Sequence, residues 1–105
     1  MNESVKTKSE IIELLLQNQH KLRSFGVKRI GLFGSFREGN QSRSSDVDIL
    51  VEFFQDQHSF DNFMDLSFFL EDLLRRKVEL VTPESLSSHL APHIQSKVEN
   101  VPLAA

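Results

Sequence analysis

The chain of 105 residues is 39% hydrophobic and 26% charged, the balance of one globular domain and not of a disordered tail. Twelve Lys and Arg against fifteen Asp and Glu leave a net charge of −3, which carries no electrostatic footprint for sequence-independent nucleic-acid binding. Cysteine is absent, excluding disulfides, thiol nucleophiles and Cys-type zinc or iron–sulfur sites.

Residues 1–8 read as a frayed polar start, with a single domain over 9–101. The N-terminus has no apolar run of the leader type, and no stretch approaches the roughly 18 apolar residues of a membrane span, so the expected location is the cytoplasm. From Ser9 as cap, Ile12, Leu15, Leu16, Leu22 and Phe25 recur at helical spacing, and Gly26 supplies a stop. VKRIGLF (27–33) reads as a short strand, and GSFREGNQSRSS (34–45) as a loop with room for one helical turn at Ser35. DVDILVEF (46–53) is β-branched and apolar beyond its aspartates, the clearest strand of the chain. A helix follows over 60–76 on the spacing of Phe63, Leu66, Phe69, Leu70, Leu73 and Leu74, then a third strand over 77–82. Thr82-Pro83-Glu84 starts the closing region, read as two short helices split by Pro92. The order predicts a small α+β domain around a mixed sheet of three strands or slightly more.

Two devices between residues 34 and 51 carry chemistry. Gly34-Ser35 ends a strand, and if Ser35 opens a helical turn its backbone N–H groups and hydroxyl can hold an anion; an ordinary turn fits the pair equally. Asp46 and Asp48 lie two apart on a strand, so their carboxylates share a face with Cα atoms about 6.6 Å apart. Like charges so placed repel unless a cation sits between them, and oxygen donors suit Mg²⁺ or Mn²⁺. The alternative is a turn cap at Ser45-Asp46 with Asp48 facing solvent. Glu79 reaches the same face if its strand pairs beside residues 46–53, and otherwise meets only water. His89 and His93 are four apart without a third ligand nearby, and Arg75-Arg76-Lys77 reads as helix-end cations.

Gly34-Ser35, ten residues, then Asp46-x-Asp48, an apolar strand and a later acid resemble the nucleotidyltransferases of the DNA polymerase beta superfamily, and most closely its small "minimal nucleotidyltransferases". The resemblance extends over about residues 10–101 through LFGSF (32–36), SDVDILVEF (45–53), RRKVELVTPESL (75–86) and PHIQSKVENV (92–101). It implies that Gly34, Ser35 and Ser45 bind the nucleotide, and that Asp46, Asp48 and Glu79 hold two Mg²⁺ or Mn²⁺ ions, Glu79 also taking the proton of the attacking hydroxyl. The third acid is Glu where Asp is commoner, Arg37-Glu38-Gly39 replaces an Ala-Arg-Gly, and the closing Tyr of many relatives is missing. The implied activity is transfer of AMP from ATP to a hydroxyl of a partner, a HEPN-type ribonuclease toxin for which the chain serves as antitoxin. The alternative is a degenerate member that neutralises the toxin by contact alone. The chain has no Tyr and nine Phe; any Tyr–AMP product therefore lies on another protein, and the Phe-rich helix is a candidate docking face.

Overall fold

In the computed structural model, residues 4–103 are described. Chain order is α1 (Lys8–Gln17), α2 (Gln19–Ser24), β1 (Val27–Phe33), α3 (Gly34–Glu38), β2 (Val47–Phe53), α4 (Phe60–Leu74), β3 (Val78–Val81), a 3₁₀ turn (Pro83–Ser85), α5 (Leu90–Lys97) and β4 (Glu99–Asn100). The sheet runs β3-β2-β1-β4. β2 is antiparallel to β1 and parallel to β3, and β4 adds to the free side of β1 in antiparallel sense.

Alternation along the strands sorts the two faces. Ile30, Leu32, Val47, Ile49, Val51 and Val78 are buried in one cluster with Ile11 and Leu15 of α1, Leu22 of α2 and Leu66, Leu70 and Leu74 of α4. Asp48 and Glu79, one position out of phase, therefore stand on the opposite face, where the register places them side by side. This is the arrangement required for Glu79 to join the aspartates.

Several elements depart from their predicted bounds. Ser9 lies inside the first helix; Thr7 is the cap, in a reciprocal capping box with Glu10. The polar start is anchored from Val5, which is buried and donates its N–H to Leu74 O at 3.1 Å; residues 1–3 lie outside the described residues. The predicted first helix is broken at Asn18, whose side-chain amide donates to Leu14 O at 2.8 Å and competes with helix continuation. Pro92 does not split the closing region: it sits in the first turn of α5, where its missing N–H leaves no helical bond unmade. The 3₁₀ turn takes the place of the first of the two expected helices, and β4 follows directly on α5. Among the described residues no helix is long and apolar enough to cross a membrane.

Candidate active site

β1 ends at Phe33 and α3 begins at the next residue, so the backbone must reverse within one position. Gly34 does this with φ 75°, a left-handed conformation that a Cβ disfavours. Space imposes the same choice. A Cβ on Gly34 would collide with Oδ2 of Asp48 and lie 2.8 Å from its Cγ. Phe33 pairs with Asp48 across the β1–β2 ladder, so the glycine and the carboxylate are brought together by sheet register. The turn that opens α3 is therefore in contact with the aspartate strand. Phe36 is wholly buried beneath it, and Gly39 closes it in the left-handed region with its N–H on Ser35 O.

We expect Gly34→Ala to cost about 1–2 kcal/mol from backbone conformation alone and to displace the Asp48 carboxyl. A thermal melt and a titration with AMP-PNP and Mg²⁺ check this. Unchanged melting and binding would contradict the close approach.

β2 begins at Val47, one residue later than predicted, leaving Asp46 at the mouth of the strand. Its two neighbours are fixed: Val47 N–H donates to Lys77 O at 2.9 Å, and Ser45 O accepts from Arg76 Nη1 at 3.0 Å. The Ser45 hydroxyl accepts the Ser42 N–H at 2.8 Å and so closes the loop that precedes Asp46. Asp48 is half-buried, and its carboxyl is held above the ordinary aspartate value of 3.8, first by burial, then by the charges of Glu79 and Asp46. Asp48 thus has Glu79 beside it in the register and feels the charge of Asp46, and no ion pair to any of the three occurs among the described residues. Nor do any three His, Cys, Asp or Glu side chains among the described residues form a closed set of metal ligands. The donor set is oxygen-only and electrostatically opposed to itself, which fits a hard divalent cation. His89 caps α5 and His93 lies within it, both exposed, without a third ligand.

Two features escape the sequence. β4 places Glu99 opposite Leu32, where its carboxylate takes Lys8 Nζ at 2.9 Å and lies 4.0 Å from Arg37 Nε, so two cations stand near α3. The second is Arg76, which reads as a helix-end charge but reaches several carbonyls. Its Nε donates to Val5 O at 2.7 Å, and Nη1 also lies 2.8 Å from Arg43 O and 3.2 Å from Ser42 O. No periodicity signals either contact, because the partners are backbone atoms or a two-residue strand.

Comparison with known proteins adds relatives to this geometry. Residues 8–103 match the family model described as a nucleotidyltransferase domain. The protein adenylyltransferase MntA of Thermococcus cleftensis is 41% identical over 93 residues, 88% of this chain and 93% of that protein. One chain of a toxin–antitoxin crystal structure with AMP-PNP superposes with a TM-score of 0.67 at 28% identity, over 91% of this chain and 73% of that one. A candidate minimal nucleotidyltransferase reaches a TM-score of 0.70 at 25% identity, over 84% and 93% respectively.

Proposed function

The chain belongs to the nucleotidyltransferase-domain family, and from that premise we propose that it transfers AMP from ATP to a hydroxyl of a partner protein, a HEPN-type ribonuclease, and thereby acts as its antitoxin. The observation that carries the reading is the side-by-side placement of Asp48 and Glu79 on one face, with Gly34 packed against Asp48. Asp46, Asp48 and Glu79 would hold Mg²⁺ or Mn²⁺, and those ions, when bound, neutralise charge on the attacking and leaving oxygens. Gly34, Ser35 and Ser45 are the nucleotide contacts in this reading, Gly34 and Ser35 toward the β- and γ-phosphates. Gly34 serves by leaving room for the phosphates near the backbone, and Ser35 by its N–H and hydroxyl. Ser45 contributes from the loop that sets Asp46. Glu79, exposed at the sheet edge, accepts the proton of the acceptor hydroxyl as its oxygen attacks the α-phosphorus. Pyrophosphate leaves from the opposite side.

The acceptor is supplied by a second chain in this reading. A helical face is available for it: Phe60 is 78% exposed and Phe68 60% exposed on α4, while Leu66, Leu70 and Leu74 face the core. The names of the relatives support a protein acceptor, since one is an adenylyltransferase of proteins and another belongs to a toxin–antitoxin pair. The expected location remains the cytoplasm, where ATP is at hand. The test is label transfer from ATP carrying a marked α-phosphate, in Mg²⁺ buffer, with the ribonuclease present or absent. We expect label on the ribonuclease; pyrophosphate release without labelled protein would refute a protein acceptor.

A further inference from the structure

Arg76 stands just beyond α4, one residue past the left-handed Arg75 that caps it and one residue before Lys77, whose carbonyl holds Val47 N–H. From this position its guanidinium reaches three separate parts of the chain. Nε bonds the N-terminal strap at Val5 O. Nη1 bonds the carbonyls of Ser42, Arg43 and Ser45, the loop leading into Asp46. The guanidinium carbon also lies 4.9 Å from the ring centre of Phe36, the buried residue that follows Ser35 in α3.

Asp46 itself has no regular strand partner. Its position is determined by its neighbours, and both are tied to consecutive residues of one segment: Ser45 through Arg76, Val47 through Lys77. The same guanidinium packs on the helix carrying the phosphate-binding candidates. A planar fork that donates in several directions can couple a loop to a helix, whereas the point charge of a lysine ammonium cannot match those acceptors together.

We propose that Arg76 is a positioning residue for the nucleotidyl-transfer site: it sets the loop 42–45 against α3, and so sets the distance between the Asp46 carboxylate and the Gly34-Ser35 turn. This rests on the functional reading above, because it matters only if Asp46 and that turn engage one metal–nucleotide unit. The role requires no charge on the ligand side, since the hydrogens of Nε and Nη1 are directed at protein carbonyls and the guanidinium face at Phe36. Groups that orient metal ligands from behind typically change metal affinity by about 10–100-fold when removed.

The test uses the full chain, with Arg76→Lys and Arg76→Gln beside wild type, each checked for folding by circular dichroism and thermal melting. AMP-PNP binding is titrated by calorimetry over a series of Mg²⁺ concentrations, so that the apparent Mg²⁺ requirement is obtained separately from the folded fraction. We expect wild type to bind AMP-PNP only with Mg²⁺, and Arg76→Gln to need about 10–100-fold more of the ion. Arg76→Lys, which keeps the aliphatic stem and a cation near Phe36, should fall between the two. Amide hydrogen exchange supplies a second readout free of ligand: the Val47 amide should exchange as slowly as central β2 in wild type and faster in both variants. If one variant fails to fold, the other still reads both quantities. For wild type alone, rapid exchange at Val47 would overturn the clamp. Folded variants with an unaltered Mg²⁺ requirement, even with a lower melting temperature, would reduce Arg76 to a stabilising contact and overturn the proposal. Wild type that binds no AMP-PNP with Mg²⁺ would instead overturn the functional reading on which the proposal rests, so the two failures are distinguished by the wild-type titration.

Discussion

Replacing both aspartates, Asp46→Asn with Asp48→Asn, should abolish AMP transfer and leave the fold intact. The two carboxylates provide the negative charge that would hold divalent ions at the mouth of β2, and amides of the same shape supply little affinity for a hard cation. Stability should move in the opposite direction. The Asp48 carboxyl is held above 3.8 by burial and by the charges of Glu79 and Asp46, so the folded state binds its proton more tightly than the unfolded chain does. Folding therefore loses stability as pH rises from about 3.8 through the raised value, and the full penalty is present above it. In metal-free buffer at neutral pH the double variant should melt at or above the wild-type temperature, and the difference should close as pH falls toward 3.8. Thermal melts across that range check the sign. A variant that is less stable at neutral pH without metal, or that transfers AMP at an undiminished rate, would contradict the role assigned to the pair.

Glu79→Gln should reduce turnover far more than it reduces nucleotide binding. Glu79 is beside Asp48 in the parallel register but exposed at the outer part of the face, where an acceptor hydroxyl can approach. The two aspartates remain to hold the nucleotide's ion in the variant. The lost step is proton acceptance, for which contributions of roughly 10²–10⁴-fold are usual. Single-turnover rates at saturating MgATP, compared with AMP-PNP affinity, separate the two effects. Equal losses in both would make Glu79 a binding ligand only, and no loss would make it a solvent-facing strand residue.

What was legible in the chain follows from how local each signal is. The β-branched, apolar run after the aspartates announces its strand because only adjacent residues are needed to see it, although the strand opens at Val47 and leaves Asp46 just outside. Whether the strand expected over 77–82 pairs beside the aspartate strand was open in the sequence; the parallel register that sets Glu79 opposite Asp48 is a property of the folded sheet. Gly34 could be singled out from the Gly-Ser step after a strand, but not its second role: its contact with Asp48 depends on the β1–β2 register. β4 is two residues long, too short for any pattern, and with it Glu99 and its link to Lys8 and Arg37 were hidden. Asn18 breaks the first helix through one side-chain bond to Leu14 O, a competition that apolar periodicity does not register. Arg76 was least legible, because the loop it holds offers carbonyl oxygens, which every residue type carries.

In the function proposed above, this chain modifies a second protein and does not merely occlude it. Co-expression with the HEPN-type ribonuclease proposed as partner, followed by intact-mass measurement of that ribonuclease, tests this most directly. The mass should rise by whole AMP units beside wild-type chain and stay unchanged beside Asp46→Asn/Asp48→Asn, with ribonuclease activity lost only in the first case. An unmodified ribonuclease that wild type and the double variant inhibit equally would contradict transfer and establish inhibition by contact alone.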